Sequence, residues 1–172
     1  MKHTWIESAA TAALTGLAVF GFASAAFAGN YFFEPDLSES EQLIENLFLV
    51  GGQLHLDHEI CETGVLGAYR RDTKEVVACV INHQGNIMEL HDTIRHEAVH
   101  MAQGCKAERL GVKRVALRED LAIFYQDYAR DYLGWNRLGY NMEQWTTEAE
   151  ARVLAAVMGQ HGIVGLLLEE CS

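Results

Sequence analysis

Apolar residues recur along this chain at helical spacing far more often than they alternate. Ser38-Glu39-Ser40-Glu41 carries a capping-box signature, and Leu43, Ile44 and Leu47 follow at helical intervals. This predicts a helix from about Ser38 to Leu49, closed by Gly51-Gly52. Two short β-prone runs, Gly64 to Arg71 and Glu75 to Ile81, flank Asp72-Thr73-Lys74 and read as a hairpin. A second helix is expected from Asp92, a candidate N-cap, to Gly104, a candidate stop. Ile94, Ala98 and Met101 share its apolar stripe, with Val99 and Ala102 beside them, so it should pack inside the domain. Leu117 to Leu133 predicts a third helix with Leu121, Phe124, Tyr125, Tyr128 and Tyr132 on one side, a stripe that reads as core with hydroxyls reaching its edge. Gly134 breaks it. Asn141, with Gln144 three places on, caps a fourth helix that runs to Met158 ahead of Gly159 and Gly162. Leu166 to Leu168 reads as a short packed C-terminal piece. The expected class is α+β, mainly helical, one small domain with a short hairpin ahead of the second helix.

The first 28 residues carry a different pattern. Lys2 and His3 precede an apolar run from Ala9 to Phe20, and Ala26-Phe27-Ala28 offers a cleavage site before Gly29. The expectation is an export signal over 1–28 and a domain over 29–172, exported to a periplasm or secreted. An uncleaved N-terminal anchor is the alternative, because small and apolar residues extend almost from Ala9 to Ala28, near the length needed to span a bilayer. No later segment is long and apolar enough to span. The net charge of −11 disfavours nucleic acid and anionic membrane surfaces as partners, since both reward basic patches. Four cysteines, Cys61, Cys79, Cys105 and Cys171, suit an oxidising compartment. Three pairings exist. Cys61 with Cys79 would flank the hairpin, and Cys105 with Cys171 would tie the second helix to the C-terminus. There is no C-x-x-C pair to suggest a cysteine metal site.

The chemistry concentrates in His96-Glu97-Ala98-Val99-His100. Four positions are about one helical turn, so both imidazoles project from one face and can reach a single Zn²⁺ at roughly 2.0–2.1 Å per nitrogen. Glu97 points to the flank of that site, where a carboxylate can take a proton from water and pass it to a leaving amine. Two ligands and a base are present; a catalytic zinc needs a third ligand and an open position. Glu148 and Glu150 on the fourth helix are the candidates, about 200° apart around its axis, so only one can face the metal. Glu150 shares a face with Val153, Leu154 and Val157; Glu148 shares one with Ala151 and Ala155, whose small side chains permit close helix approach. Amphipathicity leaves both open. His161 could serve if the C-terminal segment folds back. His91 is less well aligned and suits a cap or the surface, while His55, His58 and His83 fall in expected loops as solvated side chains.

An H-E-x-x-H helix followed by a Glu on a later helix resembles the gluzincin branch of zinc metallopeptidases. Thr147-Glu148-Ala149-Glu150-Ala151-Arg152 is similar to the ligand helix of thermolysin-like enzymes, with Glu148 in the ligand place and Ala151 at the small position. The resemblance implies His96, His100 and Glu148 as zinc ligands, Glu150 as the alternative third, and Glu97 as general base. It departs at Arg152, where the family has an acidic residue that orients a ligand histidine; Asp92 and Asp120 are the substitutes available. The metzincin extension is absent, since Gln103 and Lys106 replace its glycine and third histidine. The reading that results is an exported zinc peptidase acting on a peptide or protein. Tyr125, Tyr128, Tyr140 and Arg152 are candidate transition-state donors, and the hairpin edge is a candidate rail for an extended substrate. The alternative is a non-catalytic, disulfide-held helical binding domain, with or without a structural metal.

Overall fold

The computed structural model describes residues 35–121 and 142–172. The expected export segment lies outside them, as do Asn141 and the predicted third helix from residue 122 onward. Around the described helices and a three-stranded sheet the protein is an α+β, mainly helical domain. Its helices are α1 (Glu41–Leu49), α2 (Ile87–Leu110), α3 (Met142–Val157) and α4 (Gln160–Cys171). The strands are β1 (Gln53–Leu56), β2 (Gly67–Arg70) and β3 (Glu75–Ala78).

α2 is the axis of the domain. Between Leu90 and Cys105 it is buried almost all round, because β2 and β3 lie on one side while α3 and α4 pack on others. A helix enclosed this way has no polar face to display, which is why polar His91, Thr93, His96, Glu97 and Gln103 are buried with Ile94, Ala98 and Met101. α1 packs Leu43 and Leu47 against α4, whose Ile163, Val164 and Leu167 complete the same core.

Several expected boundaries move, for identifiable reasons. α2 starts five residues before Asp92, where the Asn86 side chain accepts the Glu89 N–H at 3.2 Å. It also runs through Gly104 to Leu110 and ends at Gly111, which adopts φ +68°. Gly104 serves close approach instead of termination: a Cβ there would sit 2.8 Å from the Tyr69 ring. The capping box at Ser38 does not form. Ser38–Ser40 is a 3₁₀ turn, α1 starts without a side-chain cap, and Ser40 Oγ is bonded to His91 Nδ1 at 2.7 Å. Leu117 to Leu121 holds only a 3₁₀ turn, Glu119–Leu121, in place of the expected first helical turn. Gln160–Cys171 is a full helix where only a short packed piece was expected.

The hairpin is present as β2 and β3, paired antiparallel with Gly67 opposite Ala78. It is shorter than predicted because Val80–His83 turns into a 3₁₀ helix and Gly64 ends another 3₁₀ segment at φ +82°. β1, which the sequence pattern did not announce, pairs parallel with β3 and makes β3 the central strand. Central placement explains the unbroken Val76-Val77-Ala78-Cys79 run: Val76 and Ala78 join the core around α2, while Val77 and Cys79 meet Cys61 and Val65 on the other side.

Both preferred disulfides form. Cys61–Cys79 anchors the 3₁₀ segment to the sheet, and Cys105–Cys171 joins α2 to α4. Paired cysteines of this kind belong to oxidising compartments. Among the described residues no helix is long and apolar enough to cross a membrane.

Candidate metal centre

The packing of α3 on α2 brings His96, His100 and Glu148 together. Ala149 and Ala151 are fully buried on α3 and let the two helices approach closely. His96 Nε2 and His100 Nε2 lie 3.1 Å apart, with the rings edge to face at 84°. Glu148 spans the pair, Oε1 at 3.2 Å from His100 Nε2 and Oε2 at 3.5 Å from His96 Nε2. Ligands ~2.0–2.1 Å from a tetrahedral ion stand roughly 3.3–3.4 Å from one another, so the two Nε2 atoms and the two Glu148 oxygens lie near the spacing of a metal's donors. Three such groups, all within 4.8 Å and largely out of water, can hold a metal ion.

The electrostatics favour a cation at this point. Burial pushes His96 down to about 4, which favours its neutral imidazole. Burial would also depress His100, but the adjacent Glu148 carboxylate overrides it and raises the imidazole above the usual range. Burial works against ionised Glu148 in turn, yet His100 and His96 hold it well below the usual carboxylate range. A buried anion between two imidazoles keeps positive charge near it, as a proton or as a metal.

Glu97 lies against β2 of the sheet. It is 1 % exposed, and its Oε1 has no hydrogen-bond partner. Burial, first of all, raises its carboxyl to about 8, against the pull of His100, of Arg152 and of the Tyr69 N–H that bonds to it. β2 reaches this close because residue 67 is glycine: a Cβ there would lie 2.5 Å from Thr93 Cγ2 and 3.2 Å from Glu97 Cγ. β2 is also an edge strand of the sheet. An open cleft of about 340 Å³ adjoins His100, lined in part by Tyr69, Gln103, Thr147, Arg71 and Lys113.

Glu150 is not at this site. It is fully buried and accepts hydrogen bonds from Gln103 Nε2 at 2.8 Å and from the backbone N–H groups of Leu117 and Arg118 at 2.6 and 2.7 Å. Of the α3 face expected to point inward with it, Leu154 is buried, Val153 is half-buried and Val157 is 72 % exposed. Neither acidic substitute reaches a ligand histidine: Asp92 pairs with Arg95 and Asp120 with Arg118, both carboxylates mostly exposed. Arg152 lies near enough for its charge to act on His96 and Glu97. Tyr125, Tyr128 and Tyr140 fall outside the described residues.

The remaining histidines are elsewhere, and His91 and His83 depart furthest from expectation. His91 is 2 % exposed, held by Ser40, and neither caps α2 nor meets solvent. His83 is 3 % exposed with its Nε2 3.3 Å from the Leu66 carbonyl, because the turn it sits in folds under α2. His58 caps the 3₁₀ segment through Nδ1, and His55 lies on β1 beside Glu75. His161 is exposed on α4 and is not in the cluster. Sequence reasoning missed Gln103, whose Oε1 lies 2.7 Å from His100 Nδ1; its position three residues after His100 on the same helix face was the available signal.

No protein family, curated protein or solved structure matches this chain.

Proposed function

We propose that this protein is an exported zinc-dependent peptidase in which His96, His100 and Glu148 hold the metal and Glu97 is the general base. The observation that carries the reading is Glu97: a fully buried carboxyl with an unpartnered oxygen, next to a His/His/Glu donor set. A purely structural metal site gains nothing from such a group and loses stability by burying it. Zinc suits two imidazoles and one carboxylate; when bound it supplies a Lewis acid that polarises a carbonyl and lowers the pKa of a coordinated water toward ~7. A cation held in the neighbouring donor set would favour ionised Glu97, which would then take the proton released by the attacking water on Oε1 and return it to the leaving amine. The Tyr69 N–H holds the second carboxylate oxygen in place during that transfer. Arg152 is the described cation able to offset negative charge developing near His96 and Glu97. β2 is an edge strand of the described sheet, and an extended peptide pairing with it would run past the base.

The test pairs metal content with turnover in purified protein. Wild type should carry near-stoichiometric zinc and cleave a mixed peptide library. Glu97→Gln should keep the metal and lose roughly 10²–10⁴-fold in rate, the usual contribution of a positioned base. His96→Ala should lose both. Bound zinc without any cleavage, indifferent to Glu97→Gln, would leave a disulfide-held binding domain with a structural metal.

A further inference from the structure

A histidine that ligates through Nε2 must carry its proton on Nδ1, and something outside the metal has to enforce that choice. Here the enforcement is legible atom by atom. The Gln103 amide nitrogen donates to the Thr147 carbonyl at 2.9 Å and to Glu150 Oε2 at 2.8 Å. A peptide carbonyl only accepts, so that end of the amide must be the NH₂ group and the other end must be the oxygen. That oxygen faces His100 Nδ1 at 2.7 Å and can only accept. His100 Nδ1 is therefore the donor, whether the ring is neutral or charged, and Nε2 is turned toward His96 and Glu148.

Glu150 fixes Gln103 in turn. Its carboxylate takes three N–H donors, from Gln103, Leu117 and Arg118, and is fully buried. A carboxylate enclosed by donors cannot rotate away without stranding several of them. Gln103 is itself 5 % exposed, with both amide ends engaged.

We propose that Gln103 and Glu150 are a positioning pair that locks the tautomer and ring orientation of His100, doing through an amide relay what the acidic residue at the place of Arg152 does in the gluzincins. Its value for metal binding rests on the zinc reading above; the proton on Nδ1 does not. The relay also gives Glu150 a role other than ligation, since its carboxylate is taken up by these three N–H donors.

The experiment uses the full chain with ¹⁵N-labelled histidine, read twice: by the His100 Nδ1–H resonance in metal-free protein, and by competition for Zn²⁺ with a chelator. Wild type should show a protonated, slowly exchanging Nδ1. Gln103→Met, similar in length but without the amide, should lose that protection and bind zinc roughly 10- to 100-fold more weakly, the range for outer-shell partners. Gln103→Glu sets two carboxylates face to face and should be worse. The Nδ1–H resonance separates positioning from simple loss of packing, since a folded Gln103→Met keeps the side-chain bulk and loses only the acceptor. An unprotonated Nδ1 in wild type overturns the proposal, as does a folded Gln103→Met with unchanged zinc affinity. Zinc failing to bind wild type while Nδ1–H stays protected and needs Gln103 would overturn the peptidase reading and leave the lock supported.

Discussion

Gly67 shows how much of the site depends on one absent methyl group. An alanine there would place Cβ 2.5 Å from Thr93 Cγ2 and 2.8 Å from the Val77 carbonyl, the latter being backbone of the central strand and unable to yield. β2 would have to lift away from α2 where the Tyr69 N–H meets Glu97. Gly67→Ala should lower stability by about 1–3 kcal/mol, the ordinary cost of overpacking, read from a urea midpoint. It should also depress turnover more than zinc affinity, since a Cβ at residue 67 meets Glu97 and none of His96, His100 or Glu148 among its nearest neighbours. Unchanged stability would show that strand and helix are not packed as described. At this scale the sequence was legible wherever chemistry and period coincide. The i, i+4 histidines met, and small Ala151 beside Glu148 marked the close helix contact. It was not legible for His91, His83 and Gln103, because a polar residue declares burial only through a partner distant in sequence, and Ser40 and Leu66 are such partners.

Among elements, α2 is held from both ends of the chain, and the two disulfides differ in what they close. Cys61–Cys79 spans 18 residues and Cys105–Cys171 spans 66. Chain-entropy estimates give about 3 kcal/mol for the shorter loop and about 4 kcal/mol for the longer. Cys105→Ala with Cys171→Ala should therefore destabilise more than Cys61→Ala with Cys79→Ala, by urea denaturation of each double variant. The reverse order would mean that the short link, which pins the 3₁₀ segment over Val77, carries native packing beyond its loop entropy. The cysteine pairing was legible because hairpin and helix end were placed roughly right before any pairing was chosen. β1 was not: Gln53-Leu54-His55-Leu56 is too short to show a period, and its parallel partner lies beyond an intervening 3₁₀ segment and strand. α2 outran its predicted limits for a related reason. Gly104 looks like a stop on the sequence, and only the Tyr69 ring above it explains a glycine inside the helix.

For the whole molecule, a metal held by these donors would be a crosslink between α2 and α3 as well as a reagent. His96 and His100 come from one helix and Glu148 from the other, so an ion bound by all three is bound only by the folded chain. Binding to the native state alone adds RT ln(1 + [L]/Kd), about 2.7 kcal/mol at a free zinc concentration one hundred times Kd. For a domain of this size that corresponds to a rise in Tm of roughly 10 °C. Zinc should accordingly raise Tm in wild type and in Glu97→Gln, which leaves the donors intact. It should leave Tm unchanged in His96→Ala and in Glu148→Ala. Glu150→Ala should lower Tm in the metal-free protein, because Gln103, Leu117 and Arg118 lose their acceptor, yet still respond to zinc through an intact donor set. If Glu148→Ala responded to zinc as wild type does and Glu150→Ala did not, the third donor would be Glu150, and α3 would have to be rotated by about half a turn from the packing described.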